Sequence, residues 1–265
     1  MNLRIKIFTS YREAFNIRQG EIISLVGGGG KTTLMFSIAR ELSSGEGLVV
    51  TTTTTRITEP LSSQTEDLYV SDNDDDIINW LEHKTGNLHH VTVARKSLNS
   101  GKLRGIDPML TARISSLNAV SAIIVEADGA SRKPLKAPNA TEPVIPENTS
   151  QVIPVVGIDA LNRPLSQDAV FRPEIAASLL DMSIGDTITA ESIATLITHE
   201  SGLAKGSPSR ARIIPFVNKV DTDSLIQESI RIAREILLKK CRQITRVVSG
   251  QALSQYPYFN VIYME

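Results

Sequence analysis

The segment EIISLVGGGGKTTLMFSIAREL, residues 21–42, places four glycines, a lysine and two threonines between an apolar run and an amphipathic run. Residues 21–26 are rich in β-branched side chains and lead into glycine, which predicts a strand followed by a turn. In residues 32–42 the apolar side chains recur at the three- and four-residue spacing of a helix with one buried face. The segment therefore predicts a strand, a glycine loop and a helix in direct succession.

A loop of this kind is typical of sites that bind phosphate. Glycines let backbone N–H groups approach phosphate oxygens closely, and the N-terminus of the following helix adds positive potential. Lys31 is expected to reach the β and γ phosphates of a nucleotide, and the Thr32 hydroxyl is expected to bind Mg²⁺. The predicted nucleotide-binding residues of this loop are Gly27, Gly28, Gly29, Gly30, Lys31, Thr32 and Thr33.

The spacing of the loop departs from the common G-x-x-x-x-G-K-[ST] pattern, because Leu25 stands where that pattern has its first glycine. The spacing Gly27-x-x-Gly30-Lys31-Thr32 resembles the shortened loop of P-loop ligases of the Mur type. A glycine-rich turn without a ligand is the alternative, but consecutive glycines weaken a packed turn unless the backbone must approach something closely. The loop alone suggests ATP as readily as GTP.

Acidic residues follow a strongly apolar run in AIIVEADGA, residues 122–130. An acidic residue at the end of such a strand can hold Mg²⁺ through water or orient an attacking water. Glu126 and Asp128 are therefore candidate Mg²⁺ ligands and, with Lys31, candidate catalytic residues; they would share one face if the strand continued. Glu126 to Gly129 also resembles the E-x-x-G element of nickel-metallochaperone GTPases. An acidic strand end that only caps the next turn is the alternative.

A later strand ends in Asn218, Lys219, Val220 and Asp221, which resembles the N-K-x-D element of GTPases. In that element the aspartate accepts hydrogen bonds from the guanine N1–H and 2-amino groups, whereas adenine offers no such pair of donors. Ser249, near the end of the last predicted strand, resembles the short loop that backs the guanine. These residues favour GTP over ATP, and an ordinary surface turn is the alternative.

Two further stretches carry alternatives that the sequence leaves open. The five threonines at residues 51–55 could sense the γ phosphate or could simply end a β-branched strand. In a Pro-rich loop at about 129–150, Arg132, Lys133 and Lys136 could neutralise a phosphate or an anionic substrate, or could be solvated. The four histidines show no ligand spacing, so no transition-metal site is expected.

Strand-like and helix-like segments alternate along the chain, which predicts an α/β fold. We expect a P-loop NTPase-like architecture, with a mostly parallel sheet and helices on both faces in three layers. One domain, residues 1–265, is expected, with the Pro-rich loop at about 129–150 and a helical insertion at about 158–210. Further strands are predicted at residues 48–53, 67–70, 89–94, 121–126, 152–157, 212–217 and 245–248, and helices at residues 73–81 and 222–240.

Composition narrows the range of functions. With 28 Lys and Arg against 29 Asp and Glu, the formal net charge is −1, which gives no support for a nucleic-acid partner or a membrane surface. A single cysteine suits a reducing compartment. No segment is apolar enough to span a membrane, and the first residues lack the apolar core of a signal peptide. A cytoplasmic location is therefore expected.

Several blocks of the sequence resemble the YqeC family of selenium-dependent molybdenum hydroxylase accessory proteins. The matching text lies between about residues 20 and 221 and reads LVGGGGKTTL, VTTTTTRI, VEADGASRKPLKAP, EPVIP, VVGIDALNRPL, FRPE and GLAKGSP…FVNKVD. The resemblance implies a P-loop nucleotide-binding protein that assists the maturation or cofactor supply of these hydroxylases. The hydroxylase or its other maturation factors would then be its protein partner. The motif order is also similar, more distantly, to GTPases that deliver nickel or cobalt, but the chain lacks their metal-binding His or Cys tract.

Three functions are consistent with these residues. The first is a GTP-binding accessory protein that hydrolyses GTP slowly, because no glutamine or arginine finger is evident to position water. The second is an ATP-dependent enzyme that activates or phosphorylates a small substrate, suggested by the shortened loop and the basic Pro-rich loop. The third is a nucleotide-gated scaffold without useful hydrolysis. The N-K-V-D element favours the first.

Overall fold

Strands and helices alternate along most of the chain. A computed structural model of the protein describes residues 2–83, 85–254 and 257–264. The strands are β1 (Leu3–Phe8), β2 (Glu21–Gly27), β3 (Leu48–Thr53), β4 (Arg56–Thr58), β5 (Asp67–Val70), β6 (His90–Ala94), β7 (Lys96–Leu98), β8 (Lys102–Arg104), β9 (Val120–Glu126), β10 (Leu135–Lys136), β11 (Gln151–Gly157), β12 (Val170–Phe171), β13 (Arg212–Ile213), β14 (Phe216–Asn218), β15 (Val247–Gly250) and β16 (Phe259–Met264). The helices are α1 (Tyr11–Ala14), α2 (Lys31–Leu42), α3 (Asp74–His83), α4 (Leu110–Ser115), α5 (Pro173–Leu180), α6 (Ala190–Thr198) and α7 (Asp223–Leu238), with a 3₁₀ turn at Ile158–Ala160.

One mixed sheet contains most of the strands, in the order β1-β16-β15-β14-β11-β2-β9-β3-β6-β5, and β13 also pairs with β11. All neighbours from β15 to β5 are parallel, whereas β16 is antiparallel to both β1 and β15. Strands β2, β3, β6 and β11 are buried along their whole length, as expected when helices cover both faces of a parallel sheet. The prediction of a mostly parallel α/β sheet is confirmed.

Helices cover both faces of this sheet, because neighbouring residues of one strand enter different apolar clusters. On β2, Ile23 lies in the cluster that contains Leu34 of α2, whereas Ile22 lies in the cluster that contains Leu81 of α3. Helices α1 and α2 pack on the first face. Helices α3 and α4 pack on one part of the second face, and α5, α6 and α7 pack on another part. The arrangement therefore has three layers.

The predicted elements form with ends shifted by two residues or fewer, apart from the strand predicted at residues 212–217. That stretch is divided into β13 and β14, because Pro215 has no N–H to donate within a sheet. Among the features that the sequence did not predict are the antiparallel pair β1–β16 and a separate antiparallel sheet, β4-β8-β7. Within the described residues, no helix is long and apolar enough to cross a membrane.

The carboxyl ends of β2, β3, β9 and β14 lie at one edge of the main sheet, because these strands are parallel. The glycine loop follows β2, the last threonines follow β3, Asp128 follows β9 and Lys219 follows β14. In open α/β sheets this edge is where ligands bind. The topology therefore brings together candidate residues that are far apart in the sequence.

Candidate functional site

A cleft of ≈ 1140 Å³ opens at this edge of the sheet. Its walls carry nine basic side chains and three acidic ones, although the whole chain has a formal net charge of −1. The cleft is therefore suited to an anionic ligand. It is lined by residues 28–33, residues 54–58, Arg95, Lys102, residues 104–107, Glu126, residues 129–133, Glu142, Phe171, Arg172 and Lys219.

The glycine loop packs tightly against β11. Gly27, Gly29 and Gly30 have φ angles of 95°, 73° and 120°, a region that residues with a Cβ rarely adopt. A Cβ on Gly27 would overlap the Val155 carbonyl oxygen, and a Cβ on Gly29 would overlap the backbone of Gly157. Glycine is therefore required at these two positions by the protein's own packing, whether or not a ligand is bound.

Some backbone N–H groups of the loop are used within the protein and others face the cleft. Gly28 N donates to Val155 O (2.9 Å) and Gly29 N donates to Lys133 O (2.9 Å). At the start of α2, by contrast, no side chain caps the helix. Among the described residues, no acceptor contacts the backbone N–H groups of the next four positions, Gly30, Lys31, Thr32 and Thr33. These positions line the cleft, so the positive end of α2 is available to an anion.

The ammonium group of Lys31 lies beneath the loop. Its Nζ donates to Gly27 O at 2.6 Å and lies 3.1 Å from Asp128 Oδ1 and 3.7 Å from Glu126 Oε1. Burial lowers the pKa of Lys31, but the charges of Asp128 and Glu126 outweigh it, so that the pKa is raised overall. Lys31 is therefore a fixed positive charge at the base of the cleft.

Glu126 and Asp128 occupy different positions around Lys31. Strand β9 ends at Glu126, so the condition under which the two carboxylates would share one strand face is not met. Glu126 Oε2 accepts a hydrogen bond from Thr32 Oγ1 at 2.6 Å, and burial raises the pKa of Glu126 in spite of Lys31. Asp128 Oδ2 accepts from Gly27 N at 3.1 Å. Within the described part of the chain, Asp128 Oδ1 has no hydrogen-bond partner and is met only by the Lys31 ion pair.

Lys136 of the Pro-rich loop is fully buried, so the solvated alternative is wrong for this residue. Its Nζ lies 2.9 Å from Asp128 Oδ2 and 2.7 Å from Glu142 Oε2. Arg172 Nη1 lies 2.7 Å from the same Glu142 oxygen. Burial raises the pKa of Glu142, but its contacts with Arg172 and Lys136 lower the pKa overall. We call the connected charges the ion-pair network: Lys31, Glu126, Asp128, Lys136, Glu142 and Arg172.

Asn218 joins the glycine loop to the chain that follows β15. Its Nδ2 donates to Gly29 O at 2.7 Å, and its Oδ1 accepts from Ala252 N at 2.8 Å and from Lys219 N at 2.8 Å. Lys219 lines the cleft, and its Nζ lies 2.7 Å from Asp159 Oδ2. Two residues of the N-K-V-D stretch are therefore in place beside the glycine loop.

Neither Asp221 nor Ser249 lines the cleft. Asp221 is exposed, and Gln251 Nε2 lies 3.4 Å from its Oδ2. Ser249 is fully buried, and its hydroxyl accepts a hydrogen bond from Ser229 at 2.9 Å. The Ser249 side chain is therefore occupied within the protein, whereas the Asp221 carboxylate is accessible.

The threonine run and the small antiparallel sheet form the wall beyond β3. Thr53 Oγ1 donates to Glu126 O at 2.7 Å and Thr54 Oγ1 donates to Val144 O at 2.7 Å, so these hydroxyls support neighbouring segments. Sequence reasoning missed the basic side chains of this sheet. The signal available for them was the alternation in KLR, residues 102–104, where a buried leucine separates two exposed cations.

Oxygen and nitrogen groups that could hold a metal are few. In residues 2–83, 85–254 and 257–264, no group of three or more His, Cys, Asp or Glu side chains could hold a metal ion. The Thr32 hydroxyl and the Glu126 carboxylate are a pair of adjacent oxygen groups at the cleft.

Comparison with known proteins identifies the family. Residues 23–174, more than half of the chain, match the family described as YqeC protein. The chain is also 30% identical over 200 residues, 75% of each chain, to a protein of Escherichia coli (strain K12) described as Uncharacterized protein YqeC. No solved structure matches the chain. The chain therefore belongs to the YqeC protein family.

Proposed function

We propose that the cleft binds a nucleoside triphosphate with Mg²⁺, that GTP is favoured over ATP, and that the fold is of the P-loop NTPase type. The observation that carries the proposal is the uncapped start of α2. Its four N–H groups, without acceptors in the described part of the chain, open into an electropositive cleft beside Lys31. A helix N-terminus of this kind binds phosphate, and it follows a strand and a glycine loop in P-loop order.

Lys31 would stabilise the phosphate charge. Asp128 and Glu126 hold its ammonium group in place and keep it protonated. A charge that is already fixed needs no reorganisation when negative charge develops on a transferring phosphoryl group. Asp128, which also accepts from Gly27 N, would position both Lys31 and the start of the loop.

Thr32 and Glu126 fit a Mg²⁺ ion better than Asp128 does. A hydroxyl and a carboxylate oxygen are ligands that Mg²⁺ accepts, together with phosphate oxygens and waters. Glu126 lines the cleft and has a raised pKa because of burial, which a bound cation would reverse. Asp128 Oδ2 is already occupied by Gly27 N and Lys136. When bound, Mg²⁺ would neutralise charge on the phosphates.

Guanine selectivity would come from Asp221. Asn218 fixes the glycine loop and the chain after β15 together, so a base bound beyond Lys219 would lie against a rigid support. Asp221 is two residues from Lys219 and exposed, so its carboxylate is free to accept from the guanine N1–H and 2-amino groups. Adenine would leave that carboxylate without donors.

For the biological role we propose assistance to selenium-dependent molybdenum hydroxylases, which rests on the family resemblance. A protein partner would complete the site, and intrinsic GTP hydrolysis would be slow. Deleting the gene in a selenium-replete cell should lower molybdenum hydroxylase activity. Unchanged activity would remove the support for this role and leave nucleotide binding untouched.

The test of the nucleotide proposal is a binding titration with GTP, ATP and XTP. GTP should bind the wild-type chain about tenfold or more tightly than ATP, the effect of one lost pair of hydrogen bonds. Asp221→Asn should weaken GTP and strengthen XTP, because the amide supplies a donor where xanthine has an oxygen. Asp223→Asn, in the first turn of α7, is the control and should change neither preference. Equal affinity for GTP and ATP would contradict guanine selectivity.

A further inference from the structure

The small antiparallel sheet presents a row of like charges. In its register Arg56 of β4 lies opposite Arg104 of β8, and Arg104 lies opposite Lys96 of β7. Side chains directly opposite on one face have Cβ atoms about 4.5–5.5 Å apart. We call Arg56, Arg104 and Lys96 the cationic row. It crosses all three strands of the sheet.

The register of this sheet is fixed by its other face. Ile57 and Leu103 are paired in the register between β4 and β8, and both are buried in the core that includes α2. A slip by one residue would turn these apolar side chains outward and the cations inward. The cationic row is therefore held in place by core packing.

Without a ligand, the cationic row lowers the free energy of unfolding of the protein. Like charges directly opposite one another in a sheet are destabilising. Within the described residues no carboxylate forms an ion pair with Arg56, Lys96 or Arg104, although acidic residues are as numerous in the chain as basic ones. A neighbouring arginine, Arg95, is paired with Asp74 at 3.2 Å. The row therefore has no acidic partner within the described residues and can accept an anion.

Two members of the cationic row face the cleft on the side away from the N-K-V-D element, whereas Lys96 does not line it. Arg56 and Arg104 line the cleft, together with Lys102 from the same face of β8. From β2, which leads into the glycine loop, the sheet runs through β9 to β3 in one direction and through β11 to β14 in the other. The small sheet is joined to the β3 end, because Ile106 N donates to Thr53 O at 2.9 Å. Lys219 follows β14.

We propose that Arg56 and Arg104 of the cationic row, with Lys102, bind the phosphate group of a second ligand, a phosphorylated small molecule that occupies the cleft together with the nucleotide. This inference rests on the proposed nucleotide site, which places the base toward β14 and leaves the β3 side of the cleft for another molecule. Paired guanidinium groups match the geometry of phosphate oxygens and bind them through two hydrogen bonds each. Their charge would offset the repulsion within the row.

A small ligand fits better than a nucleic acid. Arg56 and Arg104 line a cleft of ≈ 1140 Å³ that is shared with the glycine loop. Among the described residues that line it, Phe171 is the one aromatic side chain, and Arg172 already lies over its ring, 4.4 Å from the centroid. Single-stranded nucleic acid would require aromatic side chains on which several bases stack.

The experiment uses the full chain, saturated with Mg²⁺ and a non-hydrolysable GTP analogue, and titrated with inorganic phosphate. Binding is followed by the ³¹P line width of free phosphate and by the melting temperature. Wild type should bind phosphate, and Arg104→Gln should weaken that binding about tenfold, as expected for one lost charge-assisted contact. The control is Arg4→Gln, which removes the same charge from an exposed position on β1, the edge strand at the far end of the main sheet. It should bind phosphate like wild type.

The outcomes separate the two proposals. If the wild-type chain fails to bind the GTP analogue, the proposed function is wrong. If it binds the analogue but phosphate binds equally to wild type and Arg104→Gln, the second-ligand inference alone is wrong. Loss of analogue affinity in Arg104→Gln would also overturn the inference, because the row would then contact the nucleotide's own phosphates. Tight binding of an RNA oligonucleotide that depends on Arg104 would contradict a small-molecule ligand.

Discussion

The charged side chains of two regions at the same cleft differ in their burial and in their pairing. Behind the glycine loop, the ion-pair network is largely buried and pairs almost every charged atom, with Lys136 fully buried between the buried Asp128 and the partly exposed Glu142. On the small antiparallel sheet, the cationic row is exposed, and its members have no acidic partners among the described residues.

The paired charges serve to hold the structure, whereas the unpaired charges are suited to recognising a ligand. A buried charge must be paired, because an unpaired one has a large desolvation cost, so the ion-pair network fixes the loop and Lys31 before any ligand arrives. An exposed row of like charges can persist without partners because water screens it. It therefore retains its capacity to bind an anion. Substitutions in the ion-pair network and in the cationic row should therefore have different effects on stability.

The largest effect is expected from Lys136→Met. Removing this ammonium leaves Asp128 and Glu142 without their shared buried partner, so the free energy of unfolding should fall by about 3–5 kcal/mol. Urea denaturation at neutral pH measures the change. The control is Lys133→Met, whose ion pair with Asp168 is long (3.9 Å) and largely exposed, and it should change stability by less than about 1 kcal/mol. Similar losses in both variants would contradict a special role for the ion-pair network.

A smaller, pH-dependent effect is expected from Glu142→Gln. The pKa of Glu142 is lowered in the native protein by Arg172 and Lys136, so its carboxylate contributes stability above the ordinary glutamate pKa of about 4.3. That contribution is lost as the pH falls through the lower, native pKa. The free energy of unfolding of wild type should exceed that of Glu142→Gln by about 1–3 kcal/mol at pH 7. In urea denaturation at a series of pH values, this difference should shrink below about pH 4. A difference that is constant with pH would contradict the ion pairing of this carboxylate.

The smallest effect on the free energy of unfolding is expected from Arg104→Gln in the protein without ligands. Unlike the two preceding variants, it should stabilise the protein. Removing the central charge of the row relieves repulsion and should raise the free energy of unfolding by about 0.2–1 kcal/mol at low salt. At about 1 M salt the screening length is only about 3 Å, so the gain should vanish. Melting temperatures at both salt concentrations, with Arg4→Gln as control, measure this. A destabilised Arg104→Gln at low salt would contradict the repulsion.

The pattern of apolar residues was the feature of the sequence that predicted the strands and helices best. Strand β3, in which five β-branched residues follow Leu48, has the bounds predicted for it, and α2 begins only one residue before its predicted start. Both are long or strongly patterned segments whose burial dictates their structure. The strand predicted at residues 212–217 was wrong in the middle, because the effect of Pro215 on sheet pairing outweighed the apolar run around it.

Two parts of the site could not be predicted from the sequence. Strands β4, β7 and β8 have three residues each, so the alternation in residues 102–104 is too short to predict a strand by itself. The pairing of β4 with β8 also joins segments that are far apart in the chain. Lys136 lies in a Pro-rich stretch that is typical of exposed loops. Its burial depends on Asp128, which follows β9, and on Glu142, which lies six residues further along the same loop. Because this loop has no regular period, the spacing of its charges does not show that they meet.

The central claim, a Mg²⁺–nucleotide site at the start of α2, is tested most directly by the Mg²⁺ dependence of GTP binding in wild type and Thr32→Ala. For wild type, chelating Mg²⁺ should weaken GTP binding about tenfold or more. Thr32→Ala should bind GTP with nearly the same affinity with and without Mg²⁺, because the hydroxyl beside Glu126 is gone. A wild-type chain that binds no nucleoside triphosphate in the presence of Mg²⁺ would contradict the claim.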